Sequence, residues 1–347
     1  MSRNAVAVSA SVLFVVLAAI LVLTPAPYVT WRPGTPVNVL GSTDSGPIID
    51  VTGTPTYDST GQLLLTIVST SKASSNVSLP EAMMVYFAEH SDAMPRDLIY
   101  PPGKSGEEVT AEAVASMDTS RSNAIVAALR AAGISVVEHP MVANVVMSGP
   151  AGGRLMPGDL ITAVNGQSVD ATAEVARIVS SSQIGGPVTF EVLRDGEEQS
   201  VSVNTTSSSQ DSGRAMVGVG LGIGYEYAPT VSYGLSDEIV GPSAGLVFAL
   251  GIYDRVTEGE LFADRIVAGT GEIDPSGQVR SIGGVREKIK GAEDADATVF
   301  LMPPDNCETV GDLETDVQLV PVATLRDAIA ALQFIAEGNE AEVPSCD

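Results

Sequence analysis

The residues of this chain best suited to chemistry are a serine, Ser243, in the run GPSAG and a lysine, Lys288, in the run IGGVREK. A serine hydroxyl is a weak nucleophile and needs a neighbouring base to take its proton. The chain has two histidines, His90 and His139, and none follows the second one. Arginine stays protonated in proteins, so a base close to Ser243 in the sequence has to be a lysine.

Lysine is scarce enough here for its position to be informative. A lysine can act as a base only when it is neutral, and bringing its pKa from about 10.4 to near 7 requires roughly 4 to 5 kcal/mol of destabilisation of the charged form. Burial among Ile282, Val285 and Ile289 would supply such an environment. The chain has 18 basic residues, and its lysines are Lys72, Lys104, Lys288 and Lys290.

The residues around Ser243 predict a turn that leads into a helix. Gly241 and Pro242 precede the serine, and Ala244 begins an apolar run of helical length. Serine is a favoured N-cap residue, and the unpaired amides of a first helical turn can form an oxyanion hole. Taken alone, the same run is more typical of a tight turn into a buried helix.

Three motifs in a fixed order resemble the proteolytic domain of Lon-type serine proteases. They are GPSAG at 241–245, TGEI at 270–273 and IGGVREK at 282–288, and the resemblance covers residues 216–335. It implies that Ser243 and Lys288 form a catalytic dyad. It also implies that Thr270 positions the lysine, with support from Gly241, Pro242 and Ala244.

Two positions depart from the ATP-dependent members of that family. Arg286 stands where they usually have a lysine, and Val240 stands where they usually have an acidic residue. Both departures suggest a distant branch. A GKS run at 103–105 lacks the first glycine of a phosphate loop, because position 98 is leucine. We therefore expect no nucleotide site and no ATPase domain.

A second resemblance lies upstream, at residues 155–166. The run LMPGDLITAVNG is similar to the signature of the PDZ domains of bacterial proteases. The resemblance implies a β-rich peptide-binding domain that accepts a peptide strand at an open sheet edge. We expect the peptide carboxylate to bind near Gly133, Ile134, Ser135 and Val136, although Gly133 is also typical of a helix C-cap that enters a strand.

The N-terminus predicts a membrane anchor. Residues 5–24 are uncharged and predominantly apolar, and about 20 such residues span a bilayer core. Tyr28 and Trp31 follow at the position of an interfacial aromatic belt. A cleaved signal peptide is the alternative. We expect an uncleaved single-pass anchor in a bacterial cell membrane, with residues 1–4 in the cytoplasm and the catalytic part on the extracytoplasmic side.

Composition excludes several classes of partner and cofactor. The net charge of −25 argues against binding to nucleic acid or to an anionic membrane surface, since phosphate contacts need a basic patch. No histidine or cysteine cluster has metal-ligand spacing, so we expect neither a metal nor a cofactor. Cys307 and Cys346 suit an oxidising compartment, either as a disulfide or as two free thiols.

These elements predict an α+β protein with a transmembrane helix, a β-rich PDZ-like domain and a Lon-type α+β proteolytic domain. We hypothesise that the segment 48–132 is the first half of the protease fold and that the PDZ domain is inserted into it. The expected order after the anchor is a linker at 25–47, the segment 48–132, the PDZ domain at 133–206, a linker at 207–215 and the proteolytic domain at 216–340.

The sequence predicts an ATP-independent serine endopeptidase whose PDZ domain recruits or gates protein substrates. The resemblance to Lon-type proteases implies a homo-oligomer. The alternative function is a non-catalytic PDZ adaptor with a degenerate Lon-like domain. A signal-peptidase-like Ser–Lys enzyme is a third possibility, disfavoured by the order of the motifs and by the PDZ domain.

Overall fold

The computed structural model describes residues 3–44, 46–72, 74–75, 77–208, 213–236 and 239–346. The chain folds as two compact units. The first unit combines the two ends of the chain, Met1–Gly133 and Pro229–Asp347, and the second unit is Ile134–Ala228. Both helices and strands contribute to the fold, so the predicted α+β class is confirmed.

Four helices of the first unit carry or surround the three ordered motifs or stand at the N-terminus. The apolar helix is Arg3–Leu23, the bracing helix is Gly106–Ala131, the serine helix is Gly245–Val256 and the lysine helix is Val285–Glu293. The other α-helices of the described residues are Leu79–Tyr86, Arg96–Ile99, Thr172–Ser181, Cys307–Val310 and Leu325–Glu337. Short 3-10 turns lie at Pro242–Ala244, Pro304–Asn306 and Glu340–Glu342.

The strands of the first unit form one five-stranded sheet and several smaller ones. The five-stranded sheet has the order Val37–Asn38, Gln62–Leu65, Ile266–Gly269, Val299–Met302 and Gln318–Pro321. A three-stranded antiparallel sheet has the order Val68–Thr70, Tyr28–Pro33 and Asp92–Pro95. Two-stranded pairs join Ile49–Thr52 to Thr230–Tyr233, Glu272–Ile273 to Val279–Arg280, and Ser42–Thr43 to Gly46–Pro47.

The five-stranded sheet joins the two halves of the first unit. Strand Gln62–Leu65 pairs in parallel with Ile266–Gly269, which in turn pairs in parallel with Val299–Met302. All four residues of Val299–Met302 are buried, as expected for a parallel strand with both faces covered. A strand from the segment 48–132 thus lies in the sheet of the C-terminal half, which is the arrangement that the insertion hypothesis requires.

The predicted linker at 25–47 is wrong. Strand Tyr28–Pro33 lies between two other strands, and Val29 and Thr30 on it are buried. The run from Tyr28 to Trp31 is rich in aromatic and β-branched residues, which favour strands. The proline and glycine content of the surrounding residues, typical of linkers, concealed this strand.

The second unit contains a six-stranded sheet and one helix. The sheet has the order Glu197–Asn204, Pro187–Arg194, Leu160–Val164, Val137–Val145 and Val219–Glu226, with Gln167–Ser168 paired beside Leu160–Val164. Helix Thr172–Ser181 packs its Val175, Ile178 and Val179 into the core of this unit. A short pair joins Thr206–Ser207 to Ala215–Met216.

Two predicted boundaries therefore need correction. Strand Val219–Glu226 pairs along its length with Val137–Val145, so residues 216–228 belong to the second unit and not to the proteolytic domain. The predicted linker at 207–215 is bounded by the short strand pair, while its residues 209–212 lie outside the described part of the chain. The proximity of these strands to Ser243 in sequence had suggested the opposite assignment.

The apolar helix Arg3–Leu23 stands apart from the packed core. Its residues 4–23 have a mean hydropathy of 3.0, and none of them is buried within the protein. Its length and composition suit both a membrane span and a signal sequence.

A disulfide ties the C-terminal tail to the first unit. Cys307 and Cys346 are bonded, with their Cα atoms 5.4 Å apart. Both residues pack against the cluster of apolar residues around Phe300 and the lysine helix.

Candidate active site

Ser243 lies in the 3-10 turn Pro242–Ala244 immediately before the serine helix. Gly241 starts this turn with φ of +105°, a backbone conformation that L-residues with side chains rarely adopt. Pro242 follows at the first position of the turn, where a missing amide hydrogen costs nothing. The sequence GPSA therefore folds into a sharp turn that presents the half-buried Ser243 at its middle.

Lys288 reaches this serine from the lysine helix. Its Nζ lies 2.7 Å from the Ser243 Oγ and 2.8 Å from the Thr270 Oγ1, both of which are hydrogen-bond distances. The two side chains are 45 residues apart in the sequence. Tertiary packing of the two helices against the five-stranded sheet brings them together.

The surroundings of Lys288 destabilise its charged form. The residue is 3% exposed, and burial lowers the pKa of Lys288 to about 7, while the negative charge of Glu287 opposes this shift. Glu287 is itself buried, and burial raises the pKa of its carboxyl. A lysine in this environment exists as a mixture of amine and ammonium near neutral pH.

Thr270 orients the lysine amine. Its hydroxyl donates a hydrogen bond to the main-chain carbonyl of Ser243 at 3.2 Å, so its oxygen is left to accept one from Lys288. Thr270 is fully buried, and its amide donates to the carbonyl of Leu301 in the central sheet. These bonds tie the lysine amine, the serine turn and the central sheet together.

The bracing helix holds the serine turn from the opposite side. Its Ser120 hydroxyl donates to the carbonyl of Pro242 at 2.8 Å, and its Asn123 donates to the carbonyl of Ile273 at 3.1 Å. Gly245 allows this approach. A Cβ atom at that position would lie 2.9 Å from the Ser120 Oγ and 2.8 Å from the Ile273 Cγ2.

A side-chain clamp fixes the glycine loop in front of the lysine helix. Asn306 is buried, and its amide group accepts from the Ile282 amide at 3.0 Å and donates to the Ile282 carbonyl at 2.9 Å. Asn306 precedes Cys307, so the disulfide lies one residue from this clamp. The sequence motifs do not reveal Asn306, because a single asparagine carries no local signature.

An open cavity of about 500 Å³ lies over the dyad. Ser243 and Lys288 line it together with Met117 from the bracing helix, Trp31 from the N-terminal strand and the chain segment 65–70. Trp31 packs against Gly283, since a Cβ on that glycine would meet the indole ring at 2.9 Å. The sequence position of Trp31 predicts a place in a membrane-interface belt, whereas the side chain lines this cavity.

The second unit has its own cavity, an apolar groove of about 470 Å³. Helix Thr172–Ser181 forms one wall, and the loop and strand at 214–221 form the other. The groove is not lined by Gly133, Ile134, Ser135 or Val136, the residues expected to hold a peptide carboxylate. Gly133 instead follows the bracing helix with φ of +74°, as a helix C-cap glycine does.

The GKS run adopts a helix-capping structure. Ser105 caps the bracing helix and exchanges hydrogen bonds with Glu108, while the Lys104 ammonium pairs with Glu112 at 2.6 Å.

Within the described residues, no group of three or more His, Cys, Asp or Glu side chains is arranged to hold a metal ion.

Comparisons with known proteins match both units in part. Residues 238–332 match the family model of the Lon protease (S16) C-terminal proteolytic domain, and residues 117–205 match that of the PDZ domain. The solved PDZ domain of an SdrC-like protein from Listeria innocua is 25% identical, with a TM-score of 0.22. Its match covers 24% of this chain and 92% of that one.

Two curated relatives are Lon proteases. Lon protease 2 of Bacillus subtilis is 34% identical over 91 residues, which are 26% of this chain and 16% of that protein. Lon protease 2 of Herpetosiphon aurantiacus is 36% identical over 103 residues, which are 29% of this chain and 12% of that protein. The chain spans 16% or less of these relatives. What it shares with them is a Lon-type C-terminal proteolytic domain, which this chain carries together with a PDZ domain.

Proposed function

We propose that the protein is a membrane-anchored, ATP-independent serine endopeptidase in which Ser243 is the nucleophile and Lys288 its base. The contact of 2.7 Å between the serine hydroxyl and a buried lysine amine carries this proposal. The lysine is close to half neutral at physiological pH, because its pKa is about 7. A general base is most effective when its pKa lies near the working pH.

The reaction proceeds through an acyl-enzyme. Lys288 takes the proton of the Ser243 hydroxyl as the serine oxygen attacks the peptide carbonyl carbon. The resulting ammonium then protonates the leaving amine as the C–N bond breaks, leaving an ester on Ser243. In the second half, Lys288 takes a proton from the water that attacks the ester carbonyl carbon. The ammonium then returns a proton to the Ser243 oxygen as the ester C–O bond breaks, which releases the carboxylic acid and restores the serine hydroxyl and the neutral lysine.

Main-chain amides near Ser243 would stabilise the oxyanion. The serine lies at the start of a helical segment, where amide groups point outward without helical partners. The positive end of the following 12-residue helix favours negative charge at the same place. We assign the amides of Ser243 and Ala244 to this role, with Gly241 and Pro242 setting the turn that aims them.

The PDZ unit would capture substrate peptides in its apolar groove. Strand Val219–Glu226 is an edge strand of the six-stranded sheet, and it lies beside the groove wall formed by Thr172–Ser181. Val175, Val179 and Leu221 line the groove with apolar surface. An extended peptide added to this edge would gain main-chain hydrogen bonds and place alternate side chains in the groove. Proteins and peptides are the proposed substrates.

The apolar helix would anchor the enzyme by a single span. At 1.5 Å per residue its 21 residues extend about 32 Å, close to the ~30 Å hydrocarbon thickness of a bilayer. The disulfide between Cys307 and Cys346 fits an oxidising compartment, which supports an extracytoplasmic catalytic part in a bacterial cell membrane. A homo-oligomer remains a proposal taken from the resemblance to Lon-type proteases.

The test is cleavage of an unfolded protein by purified full-length variants. We expect Ser243→Ala and Lys288→Arg each to lower kcat/KM by at least about 100-fold, since each removes one half of the dyad. Lys290→Arg is the matched control, because this lysine lies two residues away and pairs with Glu293 and Asp294. It should cleave at the wild-type rate.

Retained cleavage in either dyad variant would refute the proposed mechanism. The adaptor alternative makes a different prediction. If the wild-type protein neither cleaves the substrate nor reacts at Ser243 with a serine-directed covalent probe, the chain is a PDZ adaptor and not a protease.

A further inference from the structure

Helix Leu79–Tyr86 is apolar on the side that faces away from the protein as well as on the side that faces inward. Ala82 and Val85 are buried against the first unit, as in any surface helix. A surface helix in water normally has a polar outer side, and a helix that is apolar all round is usually covered by protein or lipid. Here the exposed side chains of the helix and its neighbours are Leu79, Met83, Met84, Tyr86, Phe87 and Leu98, which we call the outer apolar face.

The exposure of this face is large. Met84 is 76% exposed, Phe87 75% and Leu98 65%. The rings of Tyr86 and Phe87 contact each other edge to face, with their centroids 5.3 Å apart. The charged residue Glu81 on the same helix lies within 3.4 Å of Arg32. A cluster of large apolar side chains that is open in this way marks an interaction surface.

The outer apolar face adjoins the end of the apolar helix. The Ala26 amide donates to the Val77 carbonyl at 2.8 Å, and Pro25 bridges to Ser78, the N-cap of helix Leu79–Tyr86. Three residues lead from Leu23 to Ala26, and they extend at most about 11 Å. If Leu23 marks the edge of the hydrocarbon core, the start of this face lies within the headgroup layer.

We propose that the outer apolar face inserts into the interfacial layer of the same bilayer that the apolar helix crosses. The inference rests on the proposed membrane span and adds a second membrane contact to it. The composition of the outer apolar face fits this environment, because tyrosine is enriched at membrane interfaces. Helices that lie in the interface also bury one apolar side below the headgroups. Insertion through apolar contacts is also compatible with a net charge of −25, which opposes electrostatic binding to anionic lipid.

A consequence concerns the cleavage site. Helix Leu79–Tyr86 packs on the three-stranded sheet that contains Tyr28–Pro33, and Trp31 of that strand lines the cavity over Ser243. Two neighbouring membrane contacts, both joined to this small sheet, would hold the cavity close to the bilayer surface. Protein segments close to the membrane surface are then the favoured substrates.

The test is lipid quenching of a fluorescent label on the full-length protein in phosphatidylcholine vesicles. The chain's own two cysteines are joined, so an introduced cysteine is labelled selectively with an environment-sensitive dye. Met84→Cys probes the outer apolar face. Leu13→Cys, in the middle of the apolar helix, reports the span itself, and Met147→Cys, at a 78% exposed methionine of the PDZ unit, supplies the reference.

We expect phosphatidylcholine with a spin label near its headgroup to lower the emission at position 84 at least about twofold more than at position 147. Phe87→Cys serves as a second probe if Met84→Cys fails to fold. Position 13 is read with phosphatidylcholine spin-labelled deep in its acyl chain, because the middle of the helix lies about 15 Å from either headgroup layer. Quenching at position 13 by this lipid, without quenching at positions 84 and 87 by the headgroup label, would overturn the inference and leave the span intact. Absence of quenching at all three would refute the span as well.

Two other results would also overturn the inference. Equal quenching at positions 84 and 147 would mean that the face has no special relation to the lipid. The label at position 84 could also be shielded from water without being quenched by the lipid. If it then becomes exposed to water when the protein is diluted among more vesicles, a second copy of the chain covers the face.

Discussion

Lys288 is the residue whose environment sets the chemistry of the site. Burial favours its neutral form, and hydrogen-bonding partners on two sides fix the direction of its amine. The negative charge of the adjacent Glu287 raises the pKa of Lys288, since it favours the ammonium. The desolvation is the larger effect, so the pKa of Lys288 falls to about 7, as the proposed role of a base requires.

The activity should therefore depend on pH through Lys288. Below a pH of about 7 the lysine is protonated and cannot accept the proton of Ser243, so kcat/KM should fall about tenfold for each further pH unit. Rate measurements from pH 5 to 9 check this, with Lys290→Arg as the control that keeps the profile. A profile that is flat between pH 6 and 8 would contradict the role of the lysine.

The same pKa shift predicts a stability effect. The pKa of Lys288 is lower in the folded protein, about 7, than the ordinary 10.5, so the unfolded chain binds more protons between these values and stability rises with pH across this window. We expect Lys288→Met to raise the free energy of unfolding most below pH 7, by at most about 5 kcal/mol. Lost hydrogen bonds to Ser243 and Thr270 reduce this gain.

Denaturant unfolding at pH 6.5 and pH 10 measures this effect. The advantage of Lys288→Met over wild type should be larger at the lower pH and smaller at the higher one. An advantage that does not change with pH would show that the lysine keeps its ordinary pKa.

At the residue level, the sequence was informative where a motif exists and silent where it does not. Ser243, Lys288 and Thr270 were selected from ordered motifs, and the structure brings their side chains within hydrogen-bond distance. Trp31 was misinterpreted and Asn306 was not noticed. Trp31 contacts Gly283 from the other end of the chain, and Asn306 bonds to Ile282 across 24 residues, and such contacts leave no local spacing pattern.

At the level of elements, the site depends on the close approach of the bracing helix to the serine turn. Gly245→Ala would place a Cβ within 2.9 Å of the Ser120 Oγ and the Ile273 amide nitrogen, which are held by packing and backbone. We expect a loss of about 1 to 3 kcal/mol in unfolding free energy, together with lower activity as the Ser243 turn shifts.

Gly251→Ala on the same helix is the matched control. Its Cβ would meet the terminal methyl of Ile49, the flexible end of a side chain, at 2.7 Å. Thermal unfolding and cleavage assays compare the stability and the activity of both variants with those of the wild-type protein. Wild-type activity in Gly245→Ala would mean that the serine turn does not need this tight packing.

The linker prediction overlooked strand Tyr28–Pro33, and the domain prediction assigned strand Val219–Glu226 to the wrong unit. Strand Tyr28–Pro33 lies between proline-rich residues, and the strand at Val219–Glu226 is half glycine in its first six residues. Propensity rules give such segments little weight, and their strand structure comes from pairing with distant partners. The long bracing helix, in contrast, carries local signals, which are a capping box at its start and a set of buried residues in its second half.

At the scale of the whole molecule, the first unit is discontinuous in sequence, because the second unit is inserted between its two segments. The two halves of the first unit share a parallel sheet, so neither half can complete its core alone. The C-terminal half is recognisable from its three motifs. The contribution of residues 48–132 follows from the sequence only as the hypothesis that the PDZ domain is inserted into the protease fold. Pairings between strands about 200 residues apart are not encoded in any local pattern.

The disulfide is a second long-range constraint on the first unit. It closes a loop of 39 residues between Cys307 and Cys346, and in the chain-entropy model such a loop contributes about 4 kcal/mol. We expect Cys346→Ser to lower the unfolding free energy by an amount of this order. Denaturant unfolding of the variant and of the reduced wild-type protein should agree, and no change in either would show that the bond is not formed in solution.

The most direct test of the account is the titration of Lys288 itself. The chain has four lysines, so NMR spectra of protein labelled at the lysine side chains contain few signals, and Lys288→Arg identifies the relevant one. We predict that this signal titrates near pH 7. If every lysine titrates above pH 10, the buried amine is charged at neutral pH, and Lys288 cannot be the base that activates Ser243.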